Sequence, residues 1–221
     1  MDHSLYMRRC LEIAAKGAES VAPNPLVGAV IVYAHQVIAE GYHAFYGGPH
    51  AEVAAIRQAL ESGFDKFSDA TLYVNLEPCV HFGKTPPCVD LILEKGFRHV
   101  VISQPDPNPL VAGKGIQKLK EAGVHVECNI CLPQATALNR KFNVFHTKHR
   151  PYVLLKWAQS NDLFIAKEDY TPVKLTHHLS DVYVHMLRAQ NMSICVGGRT
   201  VISDNPQLNV RLWKGKSPTR V

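Results

Sequence analysis

No apolar run in this sequence approaches the ~18–20 residues needed to span a bilayer. The first twenty residues contain no uninterrupted apolar segment of the signal-peptide type, and neither repeats nor low-complexity tracts occur. Only 19% of the 221 residues are charged and 46% are hydrophobic, a composition typical of a globular chain that buries a core. We therefore expect a cytoplasmic protein with no membrane partner.

Positive charge is present but dispersed. The formal net charge is +5, and lysine and arginine cluster only briefly, as at residues 148–150 and 214–216. Proteins that bind nucleic acid usually gather these residues on one face, so we expect no nucleic-acid partner.

Six cysteines without a signal peptide argue against a disulfide framework and leave metal binding, catalysis or burial open for each thiol. Cys128 and Cys131 form a CxxC motif, which is compatible with a redox pair or with half of a zinc site. No second CxxC accompanies it. Burial as small hydrophobic side chains is favoured for this pair and for Cys10 and Cys195.

Strand and helix patterns alternate along the first part of the chain. Helices are predicted over residues 4–18, 50–60, 86–94 and 114–122, and strands over 26–33, 37–39, 71–76, 100–103 and 124–127. The first two strands indicate a hairpin. Such alternation predicts an α/β domain with helices on both faces of one sheet.

The composition turns basic and rich in histidine at residues 143–150, and an apolar stretch follows at residues 152–158 that is predicted to be a strand. We place a domain boundary there, between a first domain of residues 1–146 and a second of residues 147–221. The second domain contains a predicted helix over residues 178–189 and a short predicted strand over residues 193–196.

The most informative residues are His50, Glu52, Cys79 and Cys88. One histidine and two cysteines supply three zinc ligands and leave the fourth position for water, which is the open arrangement of a catalytic zinc. Glu52 is then a non-ligating carboxylate that can carry a proton. Residues two apart diverge on a regular helix, so His50 and Glu52 share a site only if His50 lies at the irregular helix start.

The order His50-Ala51-Glu52, Pro78-Cys79 and a second cysteine resembles the signature of the cytidine-deaminase type of zinc deaminase. Most such enzymes have two residues between the cysteines, whereas eight lie between Cys79 and Cys88 here. This longer form resembles the riboflavin-biosynthesis pyrimidine deaminases, a bifunctional deaminase and reductase family. Residues 23–28 and 41–43 match the same family, and residues 150–158 and 198–211 resemble the beginning of its reductase domain.

The resemblance implies a three-layer α/β/α cytidine-deaminase-like domain, followed by the N-terminal part of a dihydrofolate-reductase-like α/β domain. It implies zinc-dependent hydrolytic deamination of 2,5-diamino-6-ribosylamino-4(3H)-pyrimidinone 5′-phosphate to 5-amino-6-(5-phosphoribosylamino)uracil. An NADPH-dependent reduction to the ribityl product follows in the family. The partner is thus a small phosphorylated pyrimidine, and a homo-oligomer is expected.

The resemblance also assigns substrate contacts. In the deaminase domain they are Asn24, His43, His81 and Lys84. In the reductase part, the substrate positions are Lys156, Arg188, Asp204, Leu208 and Arg211, and Thr200 matches a position near NADP.

We expect no reductase activity from these 221 residues alone. The turn at residues 160–163 lacks the glycine that the family has there, and the family continues beyond Val221 with further strands and a glycine-rich cofactor segment. Two other functions for the zinc pattern stay open: deamination of a base in nucleic acid, and a non-catalytic zinc-stabilised module in which Glu52 has no chemical role.

Overall fold

The computed structural model describes residues 2–82, 86–109, 111–169, 171 and 173–221. They form two compact units, residues 1–152 and 153–221. Among these described residues, no helix is both long enough and apolar enough to cross a membrane.

The first unit contains a five-stranded sheet in the order β2-β1-β3-β4-β5, in which β1 is antiparallel to β2 and β3 and the last three strands are parallel. Its elements are α1 (His3–Ala15), β1 (Gly28–Tyr33), β2 (Gln36–Tyr42), α2 (Ala51–Glu61), a 3₁₀ turn (Phe67–Asp69), β3 (Thr71–Leu76), α3 (Cys88–Glu94), β4 (His99–Gln104), α4 (Lys114–Glu121), β5 (His125–Cys128), α5 (Leu132–Leu138) and α6 (Arg140–Lys148).

Helices cover both faces of this sheet. Successive strand residues point to opposite faces, so Ile31 packs with the buried residues of α2 and α3, whereas Val30 and Val32 pack against α1. Helix α1 begins where the Asp2 carboxylate accepts the Ser4 N–H (3.0 Å), and its buried side chains recur at three- and four-residue spacing. The predicted three-layer α/β/α architecture of the first domain is confirmed.

The second unit contains α7 (His178–Ala189), β6 (Ser193–Ile194), α8 (Gly198–Asp204) and β7 (Thr219–Arg220), with β6 and β7 in parallel. The strand predicted over residues 152–158 is wrong. These residues are not in a strand, and the side chains of Leu155 and Trp157 are 76% and 66% exposed. A strand needs a pairing partner, and β6 and β7 pair only with each other among the described residues of this unit.

Helix α2 lies unusually close to β2 because Gly41 has no side chain. A Cβ atom at that position would stand 2.3 Å from the Ala55 nitrogen and 2.4 Å from the Ala51 oxygen. The glycine therefore places the N-terminal turn of α2, which follows His50, directly against the sheet.

The loop after β3 is held by a buried carboxylate. Glu77, which is 4% exposed, accepts four backbone N–H groups from the segment before α4 and from the first turn of α4. They belong to Asp106 (3.0 Å), Gly113 (3.0 Å), Gly115 (2.8 Å) and Ile116 (3.2 Å). An ionised carboxylate only accepts hydrogen bonds, so it matches a set of four donors.

The same segment packs on the loop itself. A Cβ at Gly115 would lie 2.2 Å from the Pro78 carbonyl oxygen, so the start of α4 reaches this loop only with glycine there. Cys79 follows Pro78 directly, and its position therefore depends on contacts made by residues far along the chain.

We expect Glu77→Gln to lower the free energy of unfolding by about 2–4 kcal/mol, because its amide group would place a donor against backbone donors in a buried site. Urea unfolding followed by circular dichroism measures this. Glu94→Gln is the matched control, since the Glu94 side chain is 66% exposed and pairs with the neighbouring Lys95. Equal stability of the two variants would contradict the role given to Glu77.

Candidate active site

His50, Cys79 and Cys88 converge at one point of the first unit. Their ligand atoms lie within 4.8 Å of one another. The Nδ1 atom of His50 is 3.2 Å from the Cys88 sulfur and 3.6 Å from the Cys79 sulfur, so this nitrogen is the one that faces both thiols. Among the described residues, no other group of three or more histidine, cysteine or acidic side chains is arranged in this way.

Each of these side chains comes from a place where regular structure begins or ends. His50 precedes α2 with an extended backbone (φ −69°, ψ 160°), and Glu52 lies in the first helical turn. Because His50 is outside the helix, the angular separation of helical residues does not keep it away from Glu52. Cys88 is the first residue of α3, and Cys79 lies in the loop that Glu77 holds.

The two thiols are electrostatically different. Hydrogen bonds from the Cys88 thiol and from His50 lower the pKa of Cys79 to about 4, and the Cys88 N–H also donates to the Cys79 sulfur (3.3 Å). The hydrogen bond to Cys79 and burial raise the pKa of Cys88. The hydrogen bond with Cys79 raises the pKa of His50. A thiolate is the form of cysteine that binds metal, and one nitrogen with two sulfurs is a donor set that suits zinc.

Glu52 lies beside this cluster and is 3% exposed. Burial raises the pKa of its carboxyl group, and the charge of Cys79 raises it further. An interaction with the Cys88 side chain acts in the opposite direction and lowers this pKa. The cluster therefore has one buried acid at its edge that can exchange a proton.

Asn24 and His43 are joined to the cluster through backbone and ring contacts. The Pro49 carbonyl is 2.9 Å from His43 Nδ1, and since a carbonyl only accepts, Nδ1 carries the proton. His43 Nε2 then accepts from the Asn24 amide (3.0 Å). Burial lowers the pKa of His43, which favours this neutral form, and its ring lies edge-on to that of His50 with centroids 5.7 Å apart.

For the other predicted substrate contacts, the structure shows fewer interactions. His81 is exposed on the loop between the two cysteines, and Lys84 lies outside the described residues. In the second unit, Arg188 donates to the Asn209 carbonyl (3.0 Å) and Arg211 to the Asn209 side chain (2.9 Å). Among the described residues, no hydrogen bond or ion pair links these arginines to the remaining positions predicted there, which are Lys156, Thr200, Asp204 and Leu208.

The cysteines outside the cluster have different surroundings. Cys10 is fully buried and its thiol donates to the Gly28 carbonyl (2.8 Å), as expected. Cys128 packs with the core beneath α2, whereas Cys131 packs with the core beneath α1, an arrangement that favours separate packing over a shared redox or metal site. Cys195, expected to be buried, is exposed, because it follows the two-residue strand β6 in a sparsely packed part of the second unit.

Sequence reasoning assigned no role to Asn75, Glu77 and Asn139, three of the buried polar residues. Asn75 carries a detectable signal, since an amide inside the otherwise apolar β3 must have a partner. Its Nδ2 donates to the Leu26 carbonyl (3.0 Å) and its Oδ1 accepts the Gly28 N–H (2.7 Å). Asn139, between α5 and α6, has no such local signal.

Comparisons with known proteins agree with this geometry. Residues 1–104 match the family model of the cytidine and deoxycytidylate deaminase zinc-binding region, and residues 151–221 match that of the RibD C-terminal domain. The riboflavin biosynthesis protein RibD of Aquifex aeolicus is 44% identical over 217 residues, which are 98% of this chain and 60% of that protein.

Solved structures give the same result. A diaminohydroxyphosphoribosylaminopyrimidine deaminase/5-amino-6-(5-phosphoribosylamino)uracil reductase from Thermotoga maritima has a TM-score of 0.92 at 44% identity, covering 98% of this chain and 61% of that one. Acinetobacter baumannii RibD has a TM-score of 0.89 at 44% identity, covering 94% and 57%. The chain spans about three fifths of the length of the curated relatives that it matches. It belongs to the RibD family of riboflavin biosynthesis proteins.

Proposed function

We propose that the first unit is a zinc-dependent hydrolytic deaminase of riboflavin biosynthesis. Its substrate is 2,5-diamino-6-ribosylamino-4(3H)-pyrimidinone 5′-phosphate and its product is 5-amino-6-(5-phosphoribosylamino)uracil. The observation that carries the proposal is the convergence of His50, Cys79 and Cys88 beside the buried Glu52. The names of the Thermotoga and Aquifex relatives support the substrate and the pathway.

The donor set fits zinc. His50 would contribute Nδ1, and Cys79 and Cys88 their sulfurs, since these three atoms already face one another. Zinc with three protein ligands keeps one position open and supplies the Lewis acidity that makes a water molecule nucleophilic at neutral pH.

Glu52 is the residue proposed to move protons. Its carboxylate accepts a proton from the attacking water and donates it to the departing amino group, because ammonia leaves readily only from a protonated nitrogen. Its burial keeps bulk water from competing for that proton. The bond that breaks is the one between the pyrimidine ring and this amino nitrogen, and a carbonyl takes its place.

Asn24, His43, His81 and Lys84 are proposed substrate contacts. The Asn24 amide nitrogen is used by His43, so its carbonyl oxygen is oriented by that bond and can accept from a substrate amino group. Exposed His81 suits the polar ribosyl phosphate, and Lys84 is proposed from the family resemblance and from its charge.

Residues 1–146 are proposed as the deaminase domain and residues 147–221 as part of an NADPH-dependent reductase domain. The match of residues 151–221 to the RibD C-terminal domain supports the second assignment. Arg188 and Arg211 meet at Asn209, and two adjacent guanidinium groups suit a substrate phosphate. The proposed substrate contacts there are Lys156, Arg188, Asp204, Leu208 and Arg211, with Thr200 near NADP.

The lack of reductase activity from these 221 residues alone stays a prediction, as does self-association. A cytoplasmic location is also proposed. All six cysteines are free thiols, which fits a reducing compartment.

Glu52→Gln is expected to lower the rate of ammonia release by about 10²–10⁴-fold, since an amide cannot carry the proton. Zinc content should stay at the wild-type level, because Glu52 is not one of the three converging ligands. The measurements are ammonia release from the diaminopyrimidine phosphate and metal analysis of the same sample.

Glu61→Gln, at the exposed end of the same helix, is the control for Glu52→Gln and should keep full activity. Unchanged turnover in Glu52→Gln with bound zinc would contradict the proton-transfer role of Glu52, whereas zinc-loaded wild-type protein without ammonia release would favour the non-catalytic zinc module.

Removal of the metal is expected to abolish ammonia release, and added zinc should restore it, because an open three-ligand site releases metal more readily than a closed one.

Cys88→Ala should lose zinc, whereas Cys195→Ala, which changes an exposed thiol, should retain it. Elemental analysis checks both. A purified active protein without zinc would contradict the assignment.

A further inference from the structure

Just before β1, side chains rather than a strand hold the backbone of Leu26. The Leu26 N–H donates to Asn139 Oδ1 (2.8 Å), and the Leu26 carbonyl accepts from Asn139 Nδ2 (2.9 Å). Asn75 Nδ2 donates to the same carbonyl (3.0 Å). Asn139 is 3% exposed and Asn75 is fully buried, so these bonds are shielded from water.

The Asn139 carboxamide is suited to this task because it has the same donor and acceptor as a peptide group. Two bonds to one residue fix both the position and the rotation of the Leu26 backbone, as a neighbouring strand would. At Leu26 the chain has not yet entered β1, which begins at Gly28. Without Asn139, the Leu26 N–H loses its acceptor in a partly buried place.

The position of Leu26 is transmitted to Asn24 through a stiff connection. Pro25 lies between them; its ring fixes its own φ and restricts the backbone of Asn24, so the connection is stiffer than one without proline. Asn24 in turn donates to His43, which donates to the carbonyl of Pro49, the residue before His50. A continuous set of contacts thus runs from Asn139 to the edge of the metal cluster.

We propose that Asn139 is a positioning residue of the active site, which holds Leu26 so that Asn24 is aligned for the substrate. The inference rests on the proposed function, since it concerns binding of the pyrimidine phosphate. It gives a role in the site to the junction of α5 and α6, which contributes no ligand to the metal cluster.

Asn139→Ala tests this. Loss of the two bonds to Leu26 should raise KM for the diaminopyrimidine phosphate about tenfold, because a displaced Asn24 loses its hydrogen bond to the substrate and one net hydrogen bond is worth about a factor of ten in binding. The kcat should stay within about twofold of wild type, because Glu52 and the metal ligands are untouched. Zinc content should be unchanged, and the Leu26 amide should exchange its hydrogen faster than in wild type.

Asn143→Ala is the matched control. Asn143 lies about one turn further along, in α6, and pairs with Gln104 instead of Leu26, so its KM and its Leu26 exchange should remain those of wild type. Asn139→Asp serves as the second variant should Asn139→Ala not fold. It keeps the acceptor for the Leu26 N–H and removes the donor to the carbonyl, so slow exchange at Leu26 should persist while KM rises.

Three results would overturn the inference: a wild-type KM in Asn139→Ala, an equal KM change in Asn143→Ala, or a fall in kcat and zinc content without a change in KM. Failure of the proposed function has a different signature. Wild-type protein would then release no ammonia from this substrate, which is seen before any variant is compared.

Discussion

The site depends on one constraint: where the chain leaves the sheet to form the site, its backbone polar groups lose their strand partners and must find others. Buried side chains supply them. Glu77 accepts four N–H groups from the segment before α4 and from the first turn of α4, and Asn75 and Asn139 hold the Leu26 backbone before β1. Buried donors and acceptors without partners are costly, so these polar side chains hold the loops in place.

This constraint explains why the proposed metal ligands occupy irregular positions. His50 is extended before α2, Cys79 follows a strand, and Cys88 opens α3. Such positions let side chains from three elements converge, and the free N–H at the start of α3 also stabilises the Cys79 thiolate. Glu52, one step inside its helix, can then stand beside the cluster without joining it.

The two units differ in how much regular secondary structure they contain. The first has a sheet with two covered faces, whereas the second has two short paired strands and exposed apolar side chains, among them Leu155 and Trp157. Residues 151–221 nevertheless match the family model of the RibD C-terminal domain. The predicted strand over residues 152–158 was wrong for the same reason, because pairing depends on residues elsewhere and local apolarity does not provide it.

Local pattern alone determined the order of helices and strands from α1 to β5 and the four residues His50, Glu52, Cys79 and Cys88, because periodicity and ligand chemistry depend on short segments. The helices α5 and α6 were not predicted. Only the tertiary structure showed that His50 Nδ1 faces both sulfurs, that His43 is oriented by Pro49, and that Asn139 holds a residue far from it in the chain. The physical reason is that hydrogen bonds between distant segments leave no local signature; they exist only once folding has brought the unpaired groups together.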